Sequence, residues 1–171
     1  MSVKIIACVG KNGELGKHGD LCFHIPEDMR FFRDTTMWHK VMMGRKTWES
    51  MSGKPLKNRK NYVVSHRDMT DELPVGVTAV TDPEKYLKIF ADVPPEDEEL
   101  YRLFVIGGAS LYQMALPYAD EIYLTEVDAE DDDADTFFPS FDKSLYNKTI
   151  IKESRDHDLT FAFTVYKRKK E

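Results

Sequence analysis

Apolar runs alternate along this chain with glycine-rich and amphipathic stretches. Residues 3–9 (VKIIACV) are nearly all apolar and rich in β-formers, the pattern of a strand buried on both faces. Residues 10–24 hold four glycines and an Asn12-Gly13 pair, which predict a long mobile loop of the kind that often serves function. The stretch IPEDMRFFRDTT (25–36) predicts a helix, because Pro26 fits a first turn and Glu27 and Asp28 suit its positive end. Val41 to Met43 reads as a strand ending at Gly44, and Arg45 to Met51 as a helix. Asn61 to Val64 reads as another strand, followed by the polar Ser65-His66-Arg67. Val77 to Val80 is a weaker strand and Pro83 to Phe90 a helix, with a surface loop over 91–99 (ADVPPEDEE). Leu103 to Ile106 is a buried strand running into Gly107-Gly108, and Ala109 to Leu116 is a short helix ended by Pro117. Glu121 to Val127 alternates as a strand, and 148–155 with 159–167 form a closing antiparallel pair. Strands alternating with helices predict an α/β fold: a central, mostly parallel sheet, an antiparallel C-terminal edge strand, and helices on both faces.

Composition narrows the function classes. A length of 171 residues predicts a single domain, and 42% apolar residues suffice for a core without a metal or disulfide staple. The net charge of −6 makes the chain a poor general nucleic-acid binder. No apolar run approaches the ~20 residues of a spanning helix, and the N-terminal apolar stretch is too short for a signal peptide. The two cysteines, Cys8 and Cys22, form no CxxC pair, so a reducing cytoplasm is expected. The five histidines show no zinc spacing, and neither a GxSxG elbow nor a P-loop is present. Residues 126–135 hold seven acids in ten but lack the glycine and bidentate Glu of an EF-hand, so they read as a solvated loop. The tail KRKK (167–170) reads as a solvated chain end.

Three constellations carry chemistry. Asp28 and Phe32 lie four apart and share a helix face, with Ile25, Met29 and Phe31 around them. A carboxylate on such a face gains a raised pKa in an apolar cleft, and holds a proton near neutrality. The alternative is a first-turn acid that only favours the helix dipole. Gly107-Gly108, between a strand and a helix, allows close backbone approach to a phosphate, though a tight turn alone also explains it. Arg45, Ser65, His66 and Arg67 each follow the end of a predicted parallel strand, where ligand crevices form. Cations and a hydroxyl there suit a phosphate dianion, and a 2′-phosphate would favour NADPH over NADH; ordinary charged loops are the alternative.

In order, IIACV, ELG, IPEDMRFFRDTT, VMMGRKTWESM, PLKNRKNYVVS, FVIGGASLY and EIYLTEVDAE together resemble dihydrofolate reductase over nearly the whole chain. VMMGRKTWESM and VIGGASLY are the most specific. The resemblance implies one domain over 1–171, with an adenosine-binding part at roughly 39–105 inserted between the halves of a loop-rich part. It implies hydride transfer from NADPH to C6 of dihydrofolate, with a proton gained at N5, on a cytoplasmic monomer. Asp28 aligns with the acid that binds the 2-amino group and N3 of the pterin and promotes N5 protonation, with ordered water supplying the proton. Phe32 and Met51 then flank the pterin and aminobenzoyl rings, with Leu56 beside them. Ile6, Ala7 and Cys8 line the inner cleft, and Thr125 hydrogen-bonds Asp28. Arg59 grips the glutamate α-carboxylate, assisted by Lys54.

For the cofactor, the resemblance implies Arg45, Ser65 and His66 around the 2′-phosphate, with Arg67 near. Gly44, Lys46 and Thr47 face the phosphates. Ile106, the cis pair Gly107-Gly108, and Ala109, Ser110, Leu111 and Tyr112 meet the pyrophosphate and nicotinamide side. The 10–24 loop closes over the nicotinamide through Leu15, Gly16, Asp20 and Leu21, with Ala7 beneath. No metal is implied. One departure stands out: the family commonly has Leu-Pro-Trp where this chain has Leu21-Cys22-Phe23. The family tryptophan anchors a water near the substrate, and Phe23 has no N–H to donate. Two other readings compete: a riboflavin-synthesis reductase, which lacks the pterin-binding acid, and a binding protein that has lost catalysis.

Overall fold

The computed structural model describes residues 1–170. In chain order the strands and helices are β1 (Val3–Val9), β2 (Glu14–Lys17), β3 (Asp20–Leu21), α1 (Pro26–Thr36), β4 (Lys40–Gly44) and α2 (Arg45–Ser50). They continue with β5 (Lys60–Val64), β6 (Thr78–Val80), α3 (Pro83–Ala91), β7 (Leu103–Val105) and α4 (Ala109–Ala115). The last are β8 (Ala119–Val127), β9 (Thr136–Phe137), β10 (Tyr146–Asp156) and β11 (Leu159–Arg168). Eight strands form one sheet in the order β10-β11-β8-β1-β7-β4-β5-β6. Only β11 opposes the common direction, pairing antiparallel with both β8 and β10, so the antiparallel edge consists of two strands with β10 outermost.

The central strands are covered on both faces, as their apolar runs require. Val3, Ile5 and Val9 of β1 join Leu87 and Phe90 of α3 and Leu111 of α4 on one face. Ile6 points to the other, into a cluster with Val41, Met43, Trp48 and Phe104. Lys4, inside β1, is wholly buried, and its ammonium meets Glu98 at 2.6 Å, Asp120 at 2.8 Å and Glu121 at 3.4 Å. Residues 91–99 are therefore more than a surface loop. A 3-10 turn over Pro95–Tyr101 delivers Glu98 to that ammonium.

Two further expectations need correction. Residues 10–24 are not an open mobile loop: β2 and β3 form a hairpin, and β9 adds to β2 as a third strand. Gly16 permits this pairing, since a Cβ there would sit 2.7 Å from the Asp20 carbonyl oxygen and 2.8 Å from Thr136 Oγ1. Nor is the acidic run merely solvated. Glu14, 2% exposed, accepts from the Asn12 N–H at 2.7 Å and the Asp131 N–H at 2.8 Å. Lys17 Nζ lies 2.7 Å from Asp131 Oδ2, and the His18 N–H donates to Asp135 Oδ2 at 2.9 Å. Local charge density concealed this, because the partners lie more than a hundred residues away.

Burial pushes the Glu14 carboxyl up, but its own N–H and those of Asp131 and Asn12 more than offset this and hold it below the usual range. Glu14→Gln is expected to cost about 1–3 kcal/mol in urea unfolding at neutral pH, because an amide satisfies only part of that donor set. A carboxyl lowered in the fold stabilises fully above its unfolded pKa of about 4.3, and loses that contribution as pH falls through the folded value. The gap between variant and parent should therefore close in acid. A gap that persists there would show that the charge is not what anchors the hairpin.

Candidate active site

Helix α1 presents two acids in its first turn, and the fold gives them different surroundings. Glu27 turns outward to β10, accepting from Ser154 Oγ at 2.6 Å and Lys152 Nζ at 3.0 Å. Asp28 turns inward and is 9% exposed. Its Oδ1 accepts from Thr125 Oγ1 of β8 at 2.5 Å. Among the described residues no Lys, Arg or His forms an ion pair with it. Burial pushes the Asp28 carboxyl above the usual carboxylate range, and the hydrogen bond from Thr125 pulls only partly back. The helix-dipole reading suits Glu27; Asp28 is the desolvated carboxylate.

An apolar wall extends from it. Ile6 belongs to a cluster against which Phe32, Met51, Leu56 and Ile106 pack, half-buried. Phe31 stacks on Phe163 at 4.4 Å between centroids and fixes the roll of α1. The Tyr112 hydroxyl donates to the Ile6 carbonyl at 2.8 Å, joining α4 to the same stretch of β1 as Ala7 and Cys8. Phe23 is buried with Ile25, Val127, Phe161 and Phe163, so it serves as an apolar plug beneath the hairpin.

At the outer end, Arg59 Nε donates to the Lys57 carbonyl at 2.9 Å and Nη1 to Thr36 Oγ1 at 3.2 Å. Burial, then the neighbouring Arg33 cation, hold this guanidinium below its usual range. Buried Asn61 braces the connection, bonding Leu56 through both amide atoms and donating to the Arg59 carbonyl. Lys54 is exposed on the same loop. Thr36, Asn61 and Glu14 were not anticipated. A threonine at a helix end and a polar residue opening an apolar strand were the only hints for the first two, and neither names a partner.

A second group gathers at the carboxyl ends of β7, β4 and β5, neighbours in the sheet. The Gly44 N–H donates to the Gly107 carbonyl at 2.8 Å, so the β4–α2 and β7–α4 turns lie side by side. The Gly107-Gly108 bond is cis, and Gly107 has φ +130°. That φ is what calls for glycine, since a Cβ at Gly107 would meet Thr47 Oγ1 at 3.4 Å and the Tyr112 hydroxyl at 3.5 Å, both ordinary contact distances. The first N–H groups of α2 and α4 lack intrahelical partners and open here, from Arg45 through Thr47 and at Ala109 and Ser110, while the Leu111 N–H donates to the Gly108 carbonyl at 3.1 Å. Ser65, His66 and exposed Arg45 and Lys46 stand along the rim. Arg67 is held by Glu72, which leaves it partly neutralised.

The hairpin residues differ in exposure. Leu15 packs half-buried on the core and Gly16 is enclosed, but Leu21 is 40% exposed. Asp20 Oδ2 lies 3.1 Å from His24 Nε2. Among the described residues no group of His, Cys, Asp and Glu is arranged to hold a metal ion.

A family model described as dihydrofolate reductase matches residues 2–168. A dihydrofolate reductase of Bacillus subtilis is 37% identical, with 98% of this chain and 95% of that protein covered. One from Haloferax volcanii is 36% identical over 96% of this chain and 82% of its own. The solved structure of dihydrofolate reductase from Enterococcus faecalis complexed with NADP(H) and RAB-propyl superimposes with a TM-score of 0.81 at 26% identity, covering 98% of this chain and 96% of that one.

Proposed function

Because the chain belongs to the dihydrofolate reductase family, we propose that its cleft reduces dihydrofolate at the expense of NADPH, with Asp28 governing the proton step. The observation that carries this reading is Asp28 itself: a buried carboxylate with no cation partner among the described residues, at the inner end of an apolar cleft that meets a glycine-floored crevice. NADPH fits that crevice. Its 2′-phosphate suits Arg45, Ser65 and His66, and its pyrophosphate suits the free N–H groups beside Gly44 and Gly108, with Lys46 and Thr47 adjacent. On this reading residues 39–105 form the adenosine-binding part.

When bound, NADPH supplies the hydride that reduces C6. The chain's own residues arrange the rest. Asp28 accepts from the 2-amino group and N3 of the pterin, which orients the ring and draws proton density toward N5. Thr125 sets the plane of that carboxyl group. Phe32, Met51 and Leu56 hold the rings against Ile6 and exclude water, strengthening every polar contact inside. Arg59 receives the glutamate carboxylate as a planar fork, with Lys54 at the rim. We assign this work to a cytoplasmic monomer with no nucleic-acid or membrane partner, in keeping with the net charge of −6. The same charge repels anionic ligands at long range, so the local cations must overcome it, which makes binding salt-sensitive.

The test is NADPH consumption with dihydrofolate as the only acceptor. One tetrahydrofolate formed per NADPH is expected, and a protein that binds NADPH but never consumes it would overturn the reading. For the cofactor, Arg45→Ala should weaken NADPH about tenfold and leave NADH unchanged. Equal weakening of both would remove the 2′-phosphate from this rim.

A further inference from the structure

We propose that Cys8 is a positioning residue for the proton step, its thiol donating to the Asp28 carboxylate beside the Thr125 hydroxyl so that two donors from neighbouring strands fix the acid's orientation and its affinity for a proton. The inference rests on the reading of Asp28 given above.

The geometry begins with sheet register. Cys8 of β1 lies directly opposite Thr125 of β8 in a parallel pair. Such neighbours share a face and stand about 4.8 Å apart. Ala7 and Val9 belong to the core on the opposite face, whereas Cys8 packs with Phe31 and the cluster beneath α1. Thr125 reaches Asp28 Oδ1 at 2.5 Å, and the register sets the Cys8 side chain beside that hydroxyl, on the same face of the sheet. A carboxylate offers about four lone-pair positions. With the strand side taken by Thr125 and Cys8, the outward positions are left for the paired N–H groups of a pterin.

The thiol is suited to remain a donor. Burial, then the Asp28 charge and Cys22, push it well above the usual thiol range, so it keeps its proton throughout the working pH range. The groups facing Asp28 are few. Cys8 comes from β1, Tyr112 from α4, and Thr125 from β8. Burial drives the Tyr112 phenol upward, so it too stays neutral, and its hydroxyl is committed to the Ile6 carbonyl. Cys22 faces Cys8 from the hairpin side. Cys8 is therefore the donor to Asp28 that substitution can remove while Thr125 stays in place.

The sign follows. Both donors favour the ionised carboxylate, so removing one raises the pKa. On the reading of Asp28 given above, the alkaline limb of the rate profile follows the Asp28 titration. Cys8→Ala should move Asp28 and the alkaline limb of the rate profile up together by about half to one pH unit, since a thiol is a weak donor to a charged group. Cys8→Ser should return both to the parent value or below it.

The decisive measurement is carboxyl carbon NMR titration of Asp28 in the ligand-free enzyme for the parent, Cys8→Ala and Cys8→Ser, beside their pH–rate profiles. In a Cys22→Ser background Cys8 is the sole thiol, and its infrared S–H band should move to lower frequency as Asp28 ionises. That experiment decides the question even if Cys8→Ala fails to fold. Identical Asp28 titrations in all three proteins, or an S–H band indifferent to Asp28, would overturn the proposal. A shifted titration with an unmoved rate limb would uphold the hydrogen bond and instead count against Asp28 as the acid.

Discussion

Asp28→Asn is expected to lower turnover of dihydrofolate by about a hundredfold to ten-thousandfold at neutral pH, the range spanned by positioned proton transfer. The substitution is nearly isosteric, and its amide oxygen still accepts from Thr125, so the cleft should keep its shape. NADPH affinity should be unchanged. The pH profile should change form. In the parent, the rate falls as pH rises through the raised Asp28 value. Without that group, the rate should simply climb as acid protonates the substrate in solution, and the deficit should narrow at low pH. Stability should move the other way. A carboxyl raised in the fold stabilises below its unfolded pKa and loses that contribution as pH rises through the folded value. Removing it should therefore raise the melting temperature at neutral pH while activity collapses. An Asn variant that turns over at the parental rate would end the assignment.

Arg59→Ala should raise the KM for dihydrofolate about a hundredfold, as truncating one partner of a desolvated charge pair does, with kcat at saturation nearly intact. Nothing in the proton or hydride step involves this residue; it holds the far end of the substrate. Two side-chain bonds aim the guanidinium, to the Lys57 carbonyl and to Thr36, and Asn61 braces the backbone beneath it. Arg59→Lys should recover only part of the loss, because an ammonium is a point charge and cannot fork. A pteridine substrate lacking the glutamate should respond equally to parent and variant. Steady-state kinetics on the two substrates checks both statements. A glutamate-free substrate that suffers as badly as dihydrofolate would mean that Arg59 supports the loop and does not bind the carboxylate.

Much of the fold was legible in the residues because its backbone is encoded locally. The continuous apolar runs of β1 and β4 announce strands covered on both faces, and those strands occupy the middle of the sheet. Pro26 opens α1 at its first position, and Gly107-Gly108 marks the turn between β7 and α4. The harder cases are polar. The four glycines of 10–24 read as an open loop, yet one of them lets the hairpin strands pair closely. Asn61 lies near the start of β5 as if it were a surface residue, and it is buried as the brace for Arg59.

By itself the sequence determined the α/β architecture, the family, and the residue types available to the cleft, because periodicity, turn chemistry and motif order are all properties of neighbours along the chain. It did not determine the surroundings of the two first-turn acids: the resemblance singled out Asp28, and spacing alone left a plain helix-dipole role open. Those surroundings were decided by partners far away: Thr125, 97 residues on, holds Asp28 inward, and Ser154, 127 residues from Glu27, holds that acid at the edge. The same holds for Lys4, sealed in β1 by three distant carboxylates, and for Glu14, which binds the hairpin to the acidic run. A charged group is stable out of water only where compensating groups converge on it, and that convergence is set by sheet register, which no local window contains.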